Sequence, residues 1–269
     1  MTTLERNGLV FLKLGGSILT DKTVEATLQL EHLERLAAEV KGALGDRPEI
    51  KLLIGHGSGS FGHFAGRRFG TRDGVRSLHD WIGYAQVSAA AARLNRFVID
   101  AFLDAGVPAL SLQPSASAHC DDGELQALAL HPIRAALDNG LIPVLHGDVA
   151  LDTVRGGTIL STEEILIFLA PILRPEQILL AGEVAGVMDS TGAIIPHISA
   201  GEIDPSTARL GGSHGVDVTG GMFSKVHAML QLVTRHPDIS VRIFSGATAG
   251  AVRGALANPS KAVGTLLTA

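Results

Sequence analysis

Two stretches, Leu9-Val-Phe-Leu-Lys-Leu-Gly-Gly-Ser17 and Lys51-Leu-Leu-Ile-Gly-His-Gly-Ser-Gly-Ser-Phe-Gly-His63, decide how the chain is read. Each opens as an apolar run of strand composition and ends among glycines. Between them Leu30, Leu33, Leu36, Ala37, Val40 and Leu44 recur at helical spacing. Strand, helix, strand is the unit of a parallel sheet, because a parallel neighbour is reached only by a crossover. Glycines at the strand ends let backbone N–H groups approach an anion, since no Cβ intervenes.

The alternation continues. Further strands are expected at Ala109–Leu112, Ile142–Leu145, Gln177–Leu180, Val241–Phe244 and Ala262–Leu267, after Leu9–Leu14 and Lys51–Ile54. Helices are expected at Leu30–Leu44, Asp80–Ala105, Pro132–Asn139, Thr162–Leu173, Gly221–Arg235 and Ala249–Leu256. The pattern predicts one α/β domain over residues 1–269, an open, mostly parallel sheet with helices on both faces, an αβα sandwich. A composition shift at Ala170–Pro175, where Pro171 and Pro175 end a helix, divides the chain into halves of about 1–173 and 174–269.

Composition narrows the class. With 46% hydrophobic residues the chain is not disordered, and a net charge of −5 argues against a general nucleic-acid binder. The longest apolar run, Ile165 to Leu173, is about half a membrane span. Acidic Glu5 and the lack of an early apolar segment predict no secretory signal, and the lone Cys120 suits a reducing compartment. A soluble cytoplasmic protein without membrane partners is expected.

The cations are informative: sixteen arginines but six lysines, and three of those, Lys13, Lys22 and Lys225, sit in or beside glycine-rich segments. A lysine is a compact point charge suited to a phosphate already approached by backbone amides. Lys13 lies inside a strand, where an ammonium needs a partner. Gly57 to Gly62 spells G-x-G-x-x-G, a weak signal alone. It follows the second strand rather than the first, and Asp80 starts a helix rather than closing a strand, so a dinucleotide site does not fit. The P-loop and protein-kinase sets are missing too. His56 and His63 bracket the loop, and an imidazole N–H there can bond a phosphate oxygen. No metal-ligand spacing recurs. His146-Gly-Asp148 ends another strand, where α/β sheets bind ligands, and Ser161-Thr-Glu-Glu164 has capping-box form. In Asp217-Val-Thr-Gly-Gly-Met-Phe-Ser-Lys225, a glycine turn opens a helix that carries a lysine one turn in, an anion site in kind.

In chain order, Lys13-Leu-Gly-Gly-Ser-x-x-Thr-x-Lys22, Gly59-Ser-Phe-Gly-His63, His146-Gly-Asp148 and Asp217-Val-Thr-Gly-Gly-Met-x-x-Lys225 resemble the amino acid kinase superfamily and, within it, the isopentenyl phosphate kinases. The resemblance spans Leu9 to about Leu267. It implies a homodimer that uses ATP, with Mg²⁺, to phosphorylate a prenyl monophosphate. It implies that Lys13, Lys22, His63 and Lys225 surround the transferring phosphoryl. Gly57, Ser58, Gly59, Gly62, His63, Gly147 and Asp148 are implied on the acceptor, mostly from the N-terminal half. Lys13, Gly15, Gly16, Ser17, Gly59, Glu183, Gly186, Gly220 and Lys225 are implied on the nucleotide, with no protein ligand assigned to the metal. Asp148 and Asp217 would orient lysines or metal-bound water. The segment Ala181-Gly-Glu-Val-Ala-Gly-Val-Met-Asp189 departs from the family, with Glu183 for an aspartate and Met188 for an aromatic. Fosfomycin-type or other small phosphate kinases share much of this motif set, and a silent nucleotide-binding protein on the fold is a further alternative. An apolar acceptor tail would need a pocket beyond His63. Val87, Ala90, Ala91, Leu94 and Val98 on the helix after the glycine loop are expected to wall it, with Gly83 leaving room.

Overall fold

The computed structural model describes residues 8–189, 191–204, 209–210 and 220–269. Its first half runs β1 (Leu9–Leu14), α1 (Gly16–Leu19), α2 (Leu30–Asp46), β2 (Lys51–His56), α3 (Gly59–Phe69), α4 (Leu78–Asp104), β3 (Ala109–Ser111), β4 (His119–Asp121), β5 (Glu124–Ala127), α5 (Leu130–Asp138) and β6 (Ile142–His146). There follow β7 (Asp148–Asp152), β8 (Gly156–Leu160), α6 (Thr162–Leu173), β9 (Gln177–Gly182), β10 (His197–Ser199), β11 (Ile203–Asp204), β12 (Arg209–Leu210), α7 (Gly220–Arg235), β13 (Ser240–Ser245), α8 (Ala251–Ala257) and β14 (Thr265–Thr268).

The eight-stranded sheet has the order β10-β14-β13-β9-β1-β2-β6-β3, parallel except between β13 and β14. β1 is central, and every one of its residues is buried. Its side chains alternate between two cores. Leu9 and Phe11 join the layer under α5, α6 and α7, while Val10, Leu12 and Leu14 join the layer under α2, α4 and α8. That is the expected sandwich. The chain places β2, β6 and β3 on one side of β1, then β9 and β13 on the other. The crevice at the carboxyl ends of β1, β2 and β9 is therefore the topological switch point of the sheet.

The expected strands and helices are all present within a few residues, and two features differ. The glycine loop is itself helical from Gly59, so the element directly after β2 is α3, and the Val87 stripe lies on the following helix, α4. α6 covers the expected Thr162–Leu173 with Pro171 inside it, and Arg174 closes it in the left-handed conformation. A second sheet of order β5-β4-β7-β8 was not expected. Its first hairpin turns on Asp122 (φ 46°) and Gly123 (φ 87°), a two-residue loop with both residues at positive φ. The second turn is held by Asp152, whose carboxylate accepts from the Val154, Arg155 and Gly123 amides. No helix among the described residues is long and apolar enough to cross a membrane.

Candidate active site

Because β1 and β2 pair with Leu14 opposite His56, the turns that follow them emerge side by side. A Cβ on Gly16 would stand 2.5 Å from the Gly59 nitrogen, so the two glycine turns touch backbone to backbone. Thr20 ties them together: its hydroxyl donates to the Gly16 carbonyl at 2.8 Å and accepts from the Ser60 amide at 2.8 Å. The amides of Gly15 and Gly57 are spent inside this frame, on the Ala181 and Leu14 carbonyls, as is that of Gly147 on His56. With the Ser60 amide held by Thr20, the first-turn amides of Gly59 and Phe61 in α3, which lack intrahelical acceptors, are what the cradle offers an anion.

Lys13 follows Phe11 on the α6–α7 face and is buried. Its ammonium meets Glu163 Oε1 at 3.0 Å, and the same oxygen accepts from Lys225, one turn into α7, at 3.1 Å. One carboxylate therefore aims two ammonium groups at the glycine turns. Burial pushes the Lys13 ammonium below its ordinary value, with Glu163 opposing that shift. Burial raises the Glu163 carboxyl, but Lys13 and Lys225 outweigh it and hold it at about 2. It is Glu163, and not Asp148, that pairs with Lys13 and Lys225. Asp148 accepts from the Ser115 amide at 3.2 Å and the Val149 amide at 2.8 Å. Sequence reading used Ser161-Thr-Glu-Glu164 only as a cap. The box needs Glu164 alone, which leaves Glu163 without a capping role, the one sign in the sequence of a further function.

A cavity of about 600 Å³ opens over these groups, bounded by Lys13, Gly15, Gly16, Ser17, Lys22, the turn Gly57 to Ser60, His63, Gly147, Glu163, Glu183 and Lys225. Lys22 and Glu183 meet across it at 2.7 Å, both more than half exposed, a pair weak enough to yield to a ligand. A second cavity of about 380 Å³ adjoins it, with Gly62, Asp148, Val87 and Ala91 in its wall. Ser58, His63, Arg67, Arg72, Gly147 and Ile159 line both cavities. Neither arginine was singled out from sequence.

The two histidines divide. His63 is exposed on the shared wall. His56 is fully buried, stacked on His146 at 5.4 Å and bonded to Asn95 at 3.1 Å; burial and His146 hold it at about 4, neutral and structural. Gly186 does not line either cavity, and a Cβ there would stand 2.8 Å from Thr265 and Ile194. Gly220 opens α7, while Asp217 and Thr219 lie outside the described residues. Of the expected tail wall, Val87 and Ala91 line the smaller cavity and Ala90 packs beside it, but Leu94 and Val98 belong to the main core. The room at Gly83 is filled by the Phe69 ring, 2.4 Å from where a Cβ would stand.

The sequence profile of the amino acid kinase family matches residues 8–245. Isopentenyl phosphate kinase of Haloferax volcanii is 40% identical over 225 residues, covering 83% of this chain and 88% of its own. The enzyme of that name from Methanocaldococcus jannaschii is 36% identical over 224 residues, covering 81% and 85%. A solved isopentenyl phosphate kinase superposes with a TM-score of 0.80 at 27% identity over 96% of this chain and 99% of that one. On this profile match and these relatives, the chain belongs to the amino acid kinase family and, within it, to the isopentenyl phosphate kinases.

Proposed function

We propose that this kinase moves the γ-phosphoryl of ATP onto a phosphate oxygen of isopentenyl phosphate, releasing ADP and isopentenyl diphosphate. The observation that carries the reading is Glu163 holding Lys13 and Lys225 together beside paired glycine turns, with His63 on a wall common to two cavities. The larger cavity takes the nucleotide and the smaller one the acceptor. The half up to about residue 173 supplies most of the acceptor side, and the half from 174 supplies Glu183 and Lys225 to the nucleotide. The attacking oxygen is already ionised near neutral pH, so no general base is needed. A bond forms from that oxygen to the γ-phosphorus as the bond to the β-phosphate oxygen breaks. Both partners are anions, and catalysis is alignment plus charge neutralisation. Lys13, Lys22, Lys225 and the α3 amides supply the neutralisation, and His63 donates to the acceptor phosphate.

Among the described residues no three His, Cys, Asp or Glu side chains converge as a metal cage. Glu163 and Glu183 are tied to lysines. Mg²⁺ suits such a site as a partner of nucleotide phosphates and water, its usual habit, and supplies charge neutralisation when bound. We also read the protein as a homodimer. β3 is a sheet edge, and Leu110 on it is 38% exposed, a template that a second copy can pair. Sedimentation velocity showing only a 28.0 kDa species would refute this.

An ADP-release assay over isopentenyl phosphate, geranyl phosphate, fosfomycin and carboxylates tests the acceptor, with isopentenyl phosphate expected to lead. Preference for fosfomycin would overturn the isoprenoid reading, and silence on every acceptor would overturn the enzyme. The apolar wall gives a sharper test. Val87→Ala is expected to raise kcat/KM for geranyl over isopentenyl phosphate by roughly three- to tenfold, at about 0.8 kcal/mol per methylene gained. Leu94→Ala opens a void in the main core instead. It is expected to cost roughly 2–5 kcal/mol of stability and leave the ratio unchanged. If both variants shift the acceptor ratio alike, Val87 is not the tail wall.

A further inference from the structure

We infer that Arg67 is a catalytic residue, closing its guanidinium on the phosphoryl group as that group passes between the two cavities; this rests on the phosphoryl-transfer reading above. The transferred group starts in one cavity and finishes in the other, so side chains that line both flank its path. Three of these carry or can acquire positive charge: His63, Arg67 and Arg72. Arg72 is already engaged, its guanidinium 2.6 Å from Glu164, a carboxylate that also caps α6. Arg68 is turned away to Glu25. Arg67 has no carboxylate partner among the described residues, and it stands four residues after His63, one helical turn along the same face of α3. Unpaired arginines are common on open surfaces. This one lies on the seam of two cavities, one turn from the histidine assigned to the acceptor phosphate.

The chemistry suits arginine rather than lysine. A phosphoryl in flight spreads charge over three equatorial oxygens, and a planar fork can bond two of them at once. Lys13 and Lys225 approach from the α6–α7 face, whereas Arg67 comes from α3, so the group would be held from both sides.

Steady-state kinetics of Arg67→Ala and Arg67→Lys test this. The alanine variant is expected to lose about 10²- to 10³-fold in kcat, with the KM for ATP within about threefold and the melting temperature unchanged. The lysine variant is expected to recover less than a tenth of the loss, because a point charge lacks the fork. Millimolar guanidinium should partly restore Arg67→Ala but not Lys13→Ala. Loss of less than threefold in the alanine variant, or full recovery in the lysine variant, overturns the inference. Should the wild-type protein turn over a different acceptor, the isopentenyl reading fails by itself. The same ratios measured with that acceptor then decide Arg67.

Discussion

Glu163→Gln is expected to lower kcat/KM by about 10²- to 10³-fold while leaving the fold intact. The glutamine keeps an oxygen for one lysine but cannot neutralise two. Lys13, buried in the sheet, then loses its counter-ion and still faces Lys225, so its proton is held less tightly than in the wild type. The alkaline limb of the pH–rate profile should therefore move to lower pH, a displacement that loss of packing alone would not produce. Stability gives an independent reading. The Glu163 carboxyl sits at about 2 in the folded protein against an ordinary 4.5, so its contribution is complete above the ordinary value and fades as pH falls toward 2. Urea melts from pH 6 down to 2 should show a shallower acid limb in the variant. A wild-type pH–rate profile in Glu163→Gln would remove this carboxylate from the role of pivot.

The sheet was legible because its strands are buried on both faces and read as apolar runs, while α2 and α6 announce themselves by spacing and capping. The small sheet was not. Its strands are three to five residues long, and in β4 and β5 most are exposed, too little pattern for periodicity to detect. The Asp122-Gly123 turn was the one local cue. Site residues divide in the same way. Lysines beside glycines stand out because a buried ammonium and a missing Cβ are both unusual in sequence. Glu163 on α6, Arg67 on α3 and Arg72 in the short turn after α3 are ordinary letters in the sequence, and only the packing of these segments around the cleft gives them a role. The tail wall failed at Leu94 for a related reason. A helical stripe names a buried face, but α4 buries its face under two different neighbours. Its N-terminal half meets the cavity and its C-terminal half meets the sheet.

His63→Ala is expected to lose about 2–4 kcal/mol of transition-state stabilisation, roughly 30- to 1,000-fold in kcat/KM. The residue stands one turn into α3, and its side chain leans back toward the helix start, where the first-turn amides could bond the same phosphate. The loss should fall mainly on the acceptor, with the KM for ATP changing little. His63→Gln should retain part of the rate, since its amide still donates a hydrogen bond, though without the charge a protonated imidazole can offer. Lys225→Ala provides the contrast. Lys225 lines only the larger cavity, and its removal should raise the KM for ATP more than that for the acceptor. Since Lys225 shares Glu163 with Lys13, its effect should be less than additive with Lys13→Ala in a double-mutant cycle, whereas His63→Ala and Lys225→Ala should combine more nearly independently. Equal effects of Lys225→Ala on both KM values would contradict the division into nucleotide and acceptor cavities. An alanine at position 63 with unchanged kcat/KM would take His63 out of the acceptor site, leaving the α3 amides and Arg67 to hold the phosphate.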